Sequence, residues 1–206
     1  MKTLILPGMG ADSAMFPLKY YAFLRGVRFA DWPEYHGEQT IRALALRVID
    51  EHNITVDMLV GGSSLGGIVA IEIAKIIDVK KVILIGSATG AEMINPGLRM
   101  LSIFSNIAPF TLFQILAGKM NISGSNEVLS MFQRADCRFI RAMCSAVFTW
   151  DGIADYQGKI CQIHGRRDLV IYPPEGDVEI IPDGGHLISM THGPLVADFI
   201  DRIIAT

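Results

Sequence analysis

The sequence has little cysteine, little charge and no basic excess, and each shortage excludes a class of protein. Its 206 residues include 3 cysteines, an odd number without a C-x-x-C pair, so neither a disulfide framework nor a zinc ribbon is predicted. Lysine and arginine total 18 against 21 acidic residues, for a net charge of −3, which disfavours binding to a phosphate backbone. Half of the residues are hydrophobic and 19% are charged, which excludes a disordered chain.

Two further features bear on location. The apolar residues between Lys2 and Pro7 are too few for the core of a signal peptide. Residues 100–118 carry no charge, but Pro109 lies in their middle and favours two apolar helices over one membrane span. With its unpaired cysteines, the chain is expected to be cytoplasmic, with free thiols and no stable membrane insertion.

Short apolar runs alternate with helical patterns along most of the chain. The runs are typical of strands buried on both faces, and they cover residues 3–6, 27–31, 58–61, 81–85, 160–163 and 178–181. Amphipathic or apolar helices are predicted at 40–52, 65–77 and 194–204. This alternation predicts one three-layer α/β/α domain over residues 1–206, with a mostly parallel six-stranded sheet.

Residues 91–150 interrupt the alternation, because more than 70 residues separate strands four and five without a convincing strand between them. They are rich in methionine, phenylalanine, leucine and isoleucine and are interpreted as a helical cap insertion at the carboxyl edge of the sheet. The last helix, roughly residues 134–148, fits equally well as the crossover helix that leads to strand five. An insertion there is expected to overhang the serine described next and to form an adaptable apolar wall.

A G-x-S-x-G pattern, formed by Gly62, Ser64 and Gly66, lies between an apolar strand and an apolar helix. This context is the one in which a sharp strand-to-helix turn exposes a serine hydroxyl as a nucleophile. The backbone N–H of Leu65 would then lie at a helix N-terminus, where the helix dipole favours a developing oxyanion.

A serine nucleophile needs a base, and His186 follows the last strand of the sheet. His36 also follows a strand and is the main rival. His164 ends strand five, where a structural role is the preferred interpretation. His52 and His192 lie at helix ends and are expected to be solvated.

The third member should be a carboxylate at another strand end, and Asp168 follows strand five. The alternative for Asp168 is a cap or a partner of the neighbouring arginines. Asp151 and Asp155 precede the strand and should lie at its wrong end. Asp183 lies on the approach loop of His186.

The chain order Ser64, Asp168, His186 resembles that of the α/β-hydrolase superfamily over nearly the whole chain, and Gly62–Gly67 looks like the turn of small bacterial esterases that carry a serine before the nucleophile. The segment 4–10 is similar to the family's first strand and oxyanion turn, with Pro7 in place of the usual histidine. This resemblance implies that the Met9 N–H is the second oxyanion donor beside that of Leu65. It also implies a core that lacks the family's first two strands, with spatial order 2-1-3-4-5-6.

These observations predict a serine esterase or thioesterase that acts on a small-molecule substrate with a small apolar acyl group and needs no cofactor or metal. Two alternatives remain open. One is acyl transfer, perhydrolysis or a lyase reaction on the same scaffold, and the other is a ligand-binding protein with slow turnover.

Overall fold

The structure is a computed structural model that describes residues 2–97, 130–131, 133–153 and 156–206. Within these residues, six strands pair in parallel to form one sheet. They are β1 (Thr3–Leu6), β2 (Val27–Phe29), β3 (Leu59–Ser63), β4 (Lys81–Ile85), β5 (Ile160–Gly165) and β6 (Glu179–Ile181). The predicted strands are therefore confirmed, with ends that agree to within two residues.

The described helices cover both faces of the sheet. They are α1 (Leu18–Tyr21), α2 (Ile41–His52), α3 (Leu65–Ile76), α4 (Cys137–Ala146), α5 (Ile188–Thr191) and α6 (Gly193–Ile204), with 3-10 turns at Ser13–Met15 and Ala91–Met93. One buried cluster joins alternate residues of the central strands to α2, α3 and α4. The other joins the remaining strand residues to α1, α5 and α6. The three-layer α/β/α fold is thus confirmed.

The strand order is β2-β1-β3-β4-β5-β6, as expected. From β1 the chain adds β2 on one side of the sheet and then β3 to β6 on the other, so the strand order reverses between β1 and β3. In open parallel sheets a ligand crevice forms at such a point, beyond the carboxyl ends of the strands. The segments that follow β1, β3, β5 and β6 all emerge at this edge, because every pair in the sheet is parallel.

Helix α4 settles one open question about the chain between β4 and β5. Phe139, Ile140 and Met143 are buried in the same cluster as α2 and α3, so α4 packs on the sheet and serves as the crossover to β5. Most of the proposed cap insertion, residues 98–129, lies outside the described residues, and its placement over the serine stays a prediction.

The connection from β5 to β6 contains no helix. It runs from Arg166 to Val178 and forms one antiparallel bridge, between Ile171 and Ile94. In the described part of the chain no helix has the length and apolar character needed to cross a membrane.

Candidate active site

Ser64 occupies a strained turn between β3, which ends at Ser63, and α3, which begins at Leu65. Its backbone angles are φ 53° and ψ −119°, a combination that L-residues rarely adopt and that costs on the order of 1–3 kcal/mol. The N–H of Ser64 donates a 3.1 Å hydrogen bond to the Ile85 carbonyl, and the Ser87 hydroxyl donates a 2.7 Å bond to the Ser64 carbonyl. The end of β4 and the residues after it therefore hold the serine in this conformation.

The two glycines of the motif are required by close backbone contacts. A Cβ on Gly66 would lie 2.5 Å from the carbonyl oxygens of Leu6 and Pro7, so only glycine lets the start of α3 pass beside β1. A Cβ on Gly62 would lie 2.4 Å from the carbonyl carbon of Gly66. The motif thus brings the serine turn against the end of β1.

Ser64, His186 and Asp168 are joined by hydrogen bonds. The Ser64 Oγ lies 3.0 Å from His186 Nε2, and His186 Nδ1 lies 2.8 Å from Asp168 Oδ2. His186 is 6% exposed and Asp168 is 2% exposed. The structure therefore brings together the three side chains that the sequence predicted for nucleophile, base and acid.

Asp168 is held as a carboxylate. Its Oδ1 accepts hydrogen bonds from the N–H groups of Val170 at 2.8 Å and Ile171 at 3.0 Å. Burial alone would raise the pKa of Asp168, but the attraction of His186 and hydrogen bonds from His164, His186 and the Ile171 N–H together hold the pKa well below its usual range. An ionised Asp168 keeps a proton on His186 Nδ1, which leaves Nε2 as the acceptor that faces Ser64.

The two predicted oxyanion donors lie on either side of the serine turn. Leu65 is the first residue of α3, so its N–H has no partner inside the helix. Met9 follows Gly8, where an added Cβ would be 3.7 Å from the Ser64 Cβ, so the turn after β1 passes beside the serine. Among the described residues, neither N–H has a hydrogen-bond acceptor.

The other histidines do not contact Ser64. His36 is exposed, and its Nε2 lies 3.8 Å from Glu34. His52 and His192 are both partly buried, so the expectation that they are solvated is wrong. His52 Nε2 is buried at the end of α2, and His192 Nε2 lies 3.3 Å from the Asp183 carboxylate.

The rival carboxylates are likewise elsewhere. Asp183 is exposed and partners His192, although it is only three residues from His186. Asp151 is exposed and precedes β5 in the chain, whereas Asp168 follows β5. Asp155 lies outside the described residues.

One residue of the site has a contact that sequence reasoning missed. His164, at the end of β5, is completely buried, and its Nε2 lies 3.2 Å from Asp168 Oδ2. The spacing of Gln162 and His164 is the sequence feature that could have indicated this contact. Polar residues two apart on a buried strand face the same side, and both need hydrogen-bond partners there.

A cavity of about 230 Å³ begins next to the turn that contains Met9. Its lining mixes charged side chains with three aromatic ones, and Phe139 packs against Trp32 and Tyr35 with ring centroids 5.4 and 6.0 Å apart. Asp12 and Arg134, which form an ion pair, also line it. Among the described residues, no group of three or more histidine, cysteine or acidic side chains could hold a metal ion.

No family model matches the sequence, and no curated protein matches it. Solved structures do match its fold. A hydrolase from Oleispira antarctica is 16% identical with a TM-score of 0.82, over 100% of this chain and 92% of that one. A thermophilic esterase from Thermogutta terrifontis is 17% identical with a TM-score of 0.77, over 100% and 89%. The 1H-3-hydroxy-4-oxoquinoline 2,4-dioxygenase is 18% identical with a TM-score of 0.75, over 98% and 91%. The chain therefore has the α/β-hydrolase fold, on which both hydrolases and an oxygenase are built.

Proposed function

We propose that the protein is a serine hydrolase that cleaves a carboxylic ester or thioester through an acyl-enzyme on Ser64. The observation that carries the proposal is the hydrogen-bonded series from Ser64 through His186 to Asp168, with Ser64 on a strained turn at a helix N-terminus. Esterases and hydrolases among the structures of the same fold support this reaction class.

In the first half-reaction, Ser64 Oγ attacks the acyl carbon while His186 Nε2, 3.0 Å away, takes the hydroxyl proton. Asp168, bonded to Nδ1 at 2.8 Å, stabilises the imidazolium that forms. The N–H groups of Met9 and Leu65 would bind the oxyanion of the tetrahedral intermediate. His186 then gives its proton to the departing alcohol or thiol.

In the second half-reaction, water takes the place of the alcohol. His186 removes a proton from the water as it attacks the acyl-enzyme, and the same two N–H groups would bind the second oxyanion. Collapse of this intermediate releases the acid and returns the proton to Ser64. The aromatic side chains of Trp32, Tyr35 and Phe139, in the cavity that adjoins the turn containing Met9, would accept an apolar group on the substrate.

A fluorophosphonate probe tests the nucleophile directly. The wild-type protein should be labelled rapidly, mass mapping should place the label on Ser64, and Ser64→Ala should abolish it. A folded wild-type protein that is neither labelled nor able to hydrolyse any ester or thioester would contradict the proposal and favour the ligand-binding alternative.

A matched pair of histidine variants tests the base. His186→Ala should lower kcat/KM about as much as Ser64→Ala, by several orders of magnitude, because the two residues act as a unit. His36→Ala, at the exposed rival histidine, should leave kcat/KM unchanged. Equal losses in both variants would mean that the base is wrongly assigned.

A panel of esters and thioesters of increasing acyl length then tests the substrate class. Efficiency should rise from two to about six acyl carbons, since each methylene buried against an apolar wall contributes about 0.8 kcal/mol. A flat or falling series would contradict an apolar acyl site.

A further inference from the structure

One oxygen of Asp168 faces two histidines. Asp168 Oδ2 lies 2.8 Å from His186 Nδ1 and 3.2 Å from His164 Nε2. His164 is 0% exposed and lies on β5, whereas His186 faces Ser64. Among the described residues, Asp168 is therefore the link by which His164 is hydrogen-bonded to the Ser64–His186 pair.

The hydrogen bonds around His164 fix its protonation. The Gln162 amide nitrogen donates a 3.0 Å bond to the Ser87 carbonyl, which determines the orientation of the amide. The same nitrogen lies 3.4 Å from His164 Nδ1, so Nδ1 faces a donor and carries no proton. The proton is then on Nε2, which lies 3.0 Å from the Ile171 carbonyl and 3.2 Å from Asp168 Oδ2, two acceptors.

We propose that His164 is a positioning residue of the site: as a neutral Nε2–H donor, held in that tautomer by Gln162, it shares Asp168 Oδ2 with His186 and limits the negative charge that Asp168 presents to His186. The proposal extends the proposed function, because it assigns a further residue to the same triad. It parallels the way in which Asp168 itself fixes the tautomer of His186.

The charged surroundings favour this arrangement. Within the described residues, His164 and His186 are the titratable side chains in contact with the Asp168 carboxylate. Arg166 and Arg167, on the loop before it, are exposed. Asp183, on the approach to His186, is exposed and pairs with His192. A change at His164 should therefore act on His186 through Asp168 alone.

Removing the His164 donor should strengthen the hydrogen bond between His186 and Asp168. In His164→Met the side chain keeps its length but has no N–H, so the full charge of Oδ2 faces His186 and stabilises its protonated form. The midpoint of the His186 titration, followed by proton and nitrogen NMR, should rise by about half a unit to one unit, since a hydrogen bond to a charged group is lost. His164→Gln, which keeps an amide donor, should restore it to near the wild-type value.

A control separates this effect from a general disturbance of β5. Cys161 is partly buried in the same strand and belongs to the cluster on the opposite face of the sheet. Cys161→Ala should leave the His186 titration unchanged. An unchanged titration in folded His164→Met, or the same shift in Cys161→Ala, would overturn the proposal.

A measurement on the wild-type protein applies even if His164→Met does not fold. Two-bond nitrogen–proton correlations should show His164 with a proton on Nε2 and none on Nδ1. A cationic His164 or the opposite tautomer would overturn the proposal. Neither NMR readout needs turnover, so a protein that shows both but hydrolyses nothing would contradict the proposed function and leave the role of His164 standing.

Discussion

The Ser87 hydroxyl donates a 2.7 Å hydrogen bond to the carbonyl oxygen of Ser64. Ser87 is fully buried, and it lies two residues beyond the end of β4, the strand beside the serine strand. The same Ser64 carbonyl accepts a 3.0 Å bond from the Gly67 N–H in the first turn of α3. Hydrogen bonds from the end of β4 and from α3 therefore both fix the strained turn. Among the described residues, Ser87 is the only one whose side chain bonds to the backbone of Ser64.

Ser87→Ala should loosen the turn without removing any group that touches the substrate. We expect the rate of fluorophosphonate labelling at Ser64 to fall about tenfold, and the free energy of unfolding to fall by about 1 kcal/mol for the lost hydrogen bond. The matched control is Ser189→Ala, which removes another buried hydroxyl, one that donates to Ser63 Oγ at 3.3 Å. It should cost similar stability but leave labelling unchanged, and equal slowing in both variants would argue against a specific role for Ser87.

The strain at Ser64 predicts a difference between two inactive variants. Glycine adopts a φ of 53° without a steric penalty, whereas alanine keeps the Cβ and the strain. Ser64→Gly should therefore have a free energy of unfolding about 1 kcal/mol above that of Ser64→Ala, measured by urea denaturation, with both variants inactive toward esters. A less stable glycine variant would mean that the turn is not strained in the folded protein.

Much of the fold followed from the sequence because the signals were local. Six apolar runs separated by helical patterns predict a parallel sheet, and the parallel pairing places every carboxyl end at one edge. The G-x-S-x-G motif with its flanking strand and helix marks Ser64, and a histidine and an aspartate after later strands then have to lie near it. His186 and Asp168 could therefore be predicted from the parallel topology.

The contact of His164 with Asp168 was not accessible in the same way. His164 shares a strand end with Gly165, and the sequence shows its burial but not its partner. The partner is decided by how the loop 166–178 folds back so that Asp168 faces both His164 and His186. The exposure of His52 and His192 was misjudged for a similar reason. A position at a helix end does not show which neighbouring element covers the side chain.

Asp168→Asn should invert the hydrogen bonding at the base. The amide can keep its oxygen toward the N–H groups of Val170 and Ile171, which places its NH₂ group against His186 Nδ1. His186 must then carry its proton on Nε2 and can no longer accept one from Ser64. We expect kcat to fall about 10³- to 10⁴-fold with little change in KM, measured on any ester that the wild-type protein hydrolyses. A loss under tenfold would show that Asp168 does not set the tautomer of His186.

The depressed pKa of Asp168 also predicts how stability depends on pH. Burial opposes ionisation of this carboxyl, but His186, His164 and the Ile171 N–H favour it more strongly, so the pKa in the folded protein is below that in the unfolded chain. A group of this kind contributes stability above the unfolded pKa, and the contribution is lost as the pH falls toward the folded pKa. Urea unfolding of wild-type protein and Asp168→Asn should therefore differ less at pH 3 than at pH 5, by about 1 kcal/mol for an unfolded pKa near 3.9.

The exposed Asp183 provides the comparison for this effect. Its pKa is also lowered, first by a backbone hydrogen bond and then by His192, but its exposure to solvent screens both interactions. Asp183→Asn should accordingly leave the difference in unfolding free energy between pH 5 and pH 3 close to that of the wild-type protein. The opposite result would be a smaller change of unfolding free energy between pH 5 and pH 3 in Asp183→Asn and an unaltered change in Asp168→Asn. Acid unfolding would then depend on protonation of the exposed Asp183. The buried hydrogen bonds of Asp168 would not be what keeps Asp168 ionised.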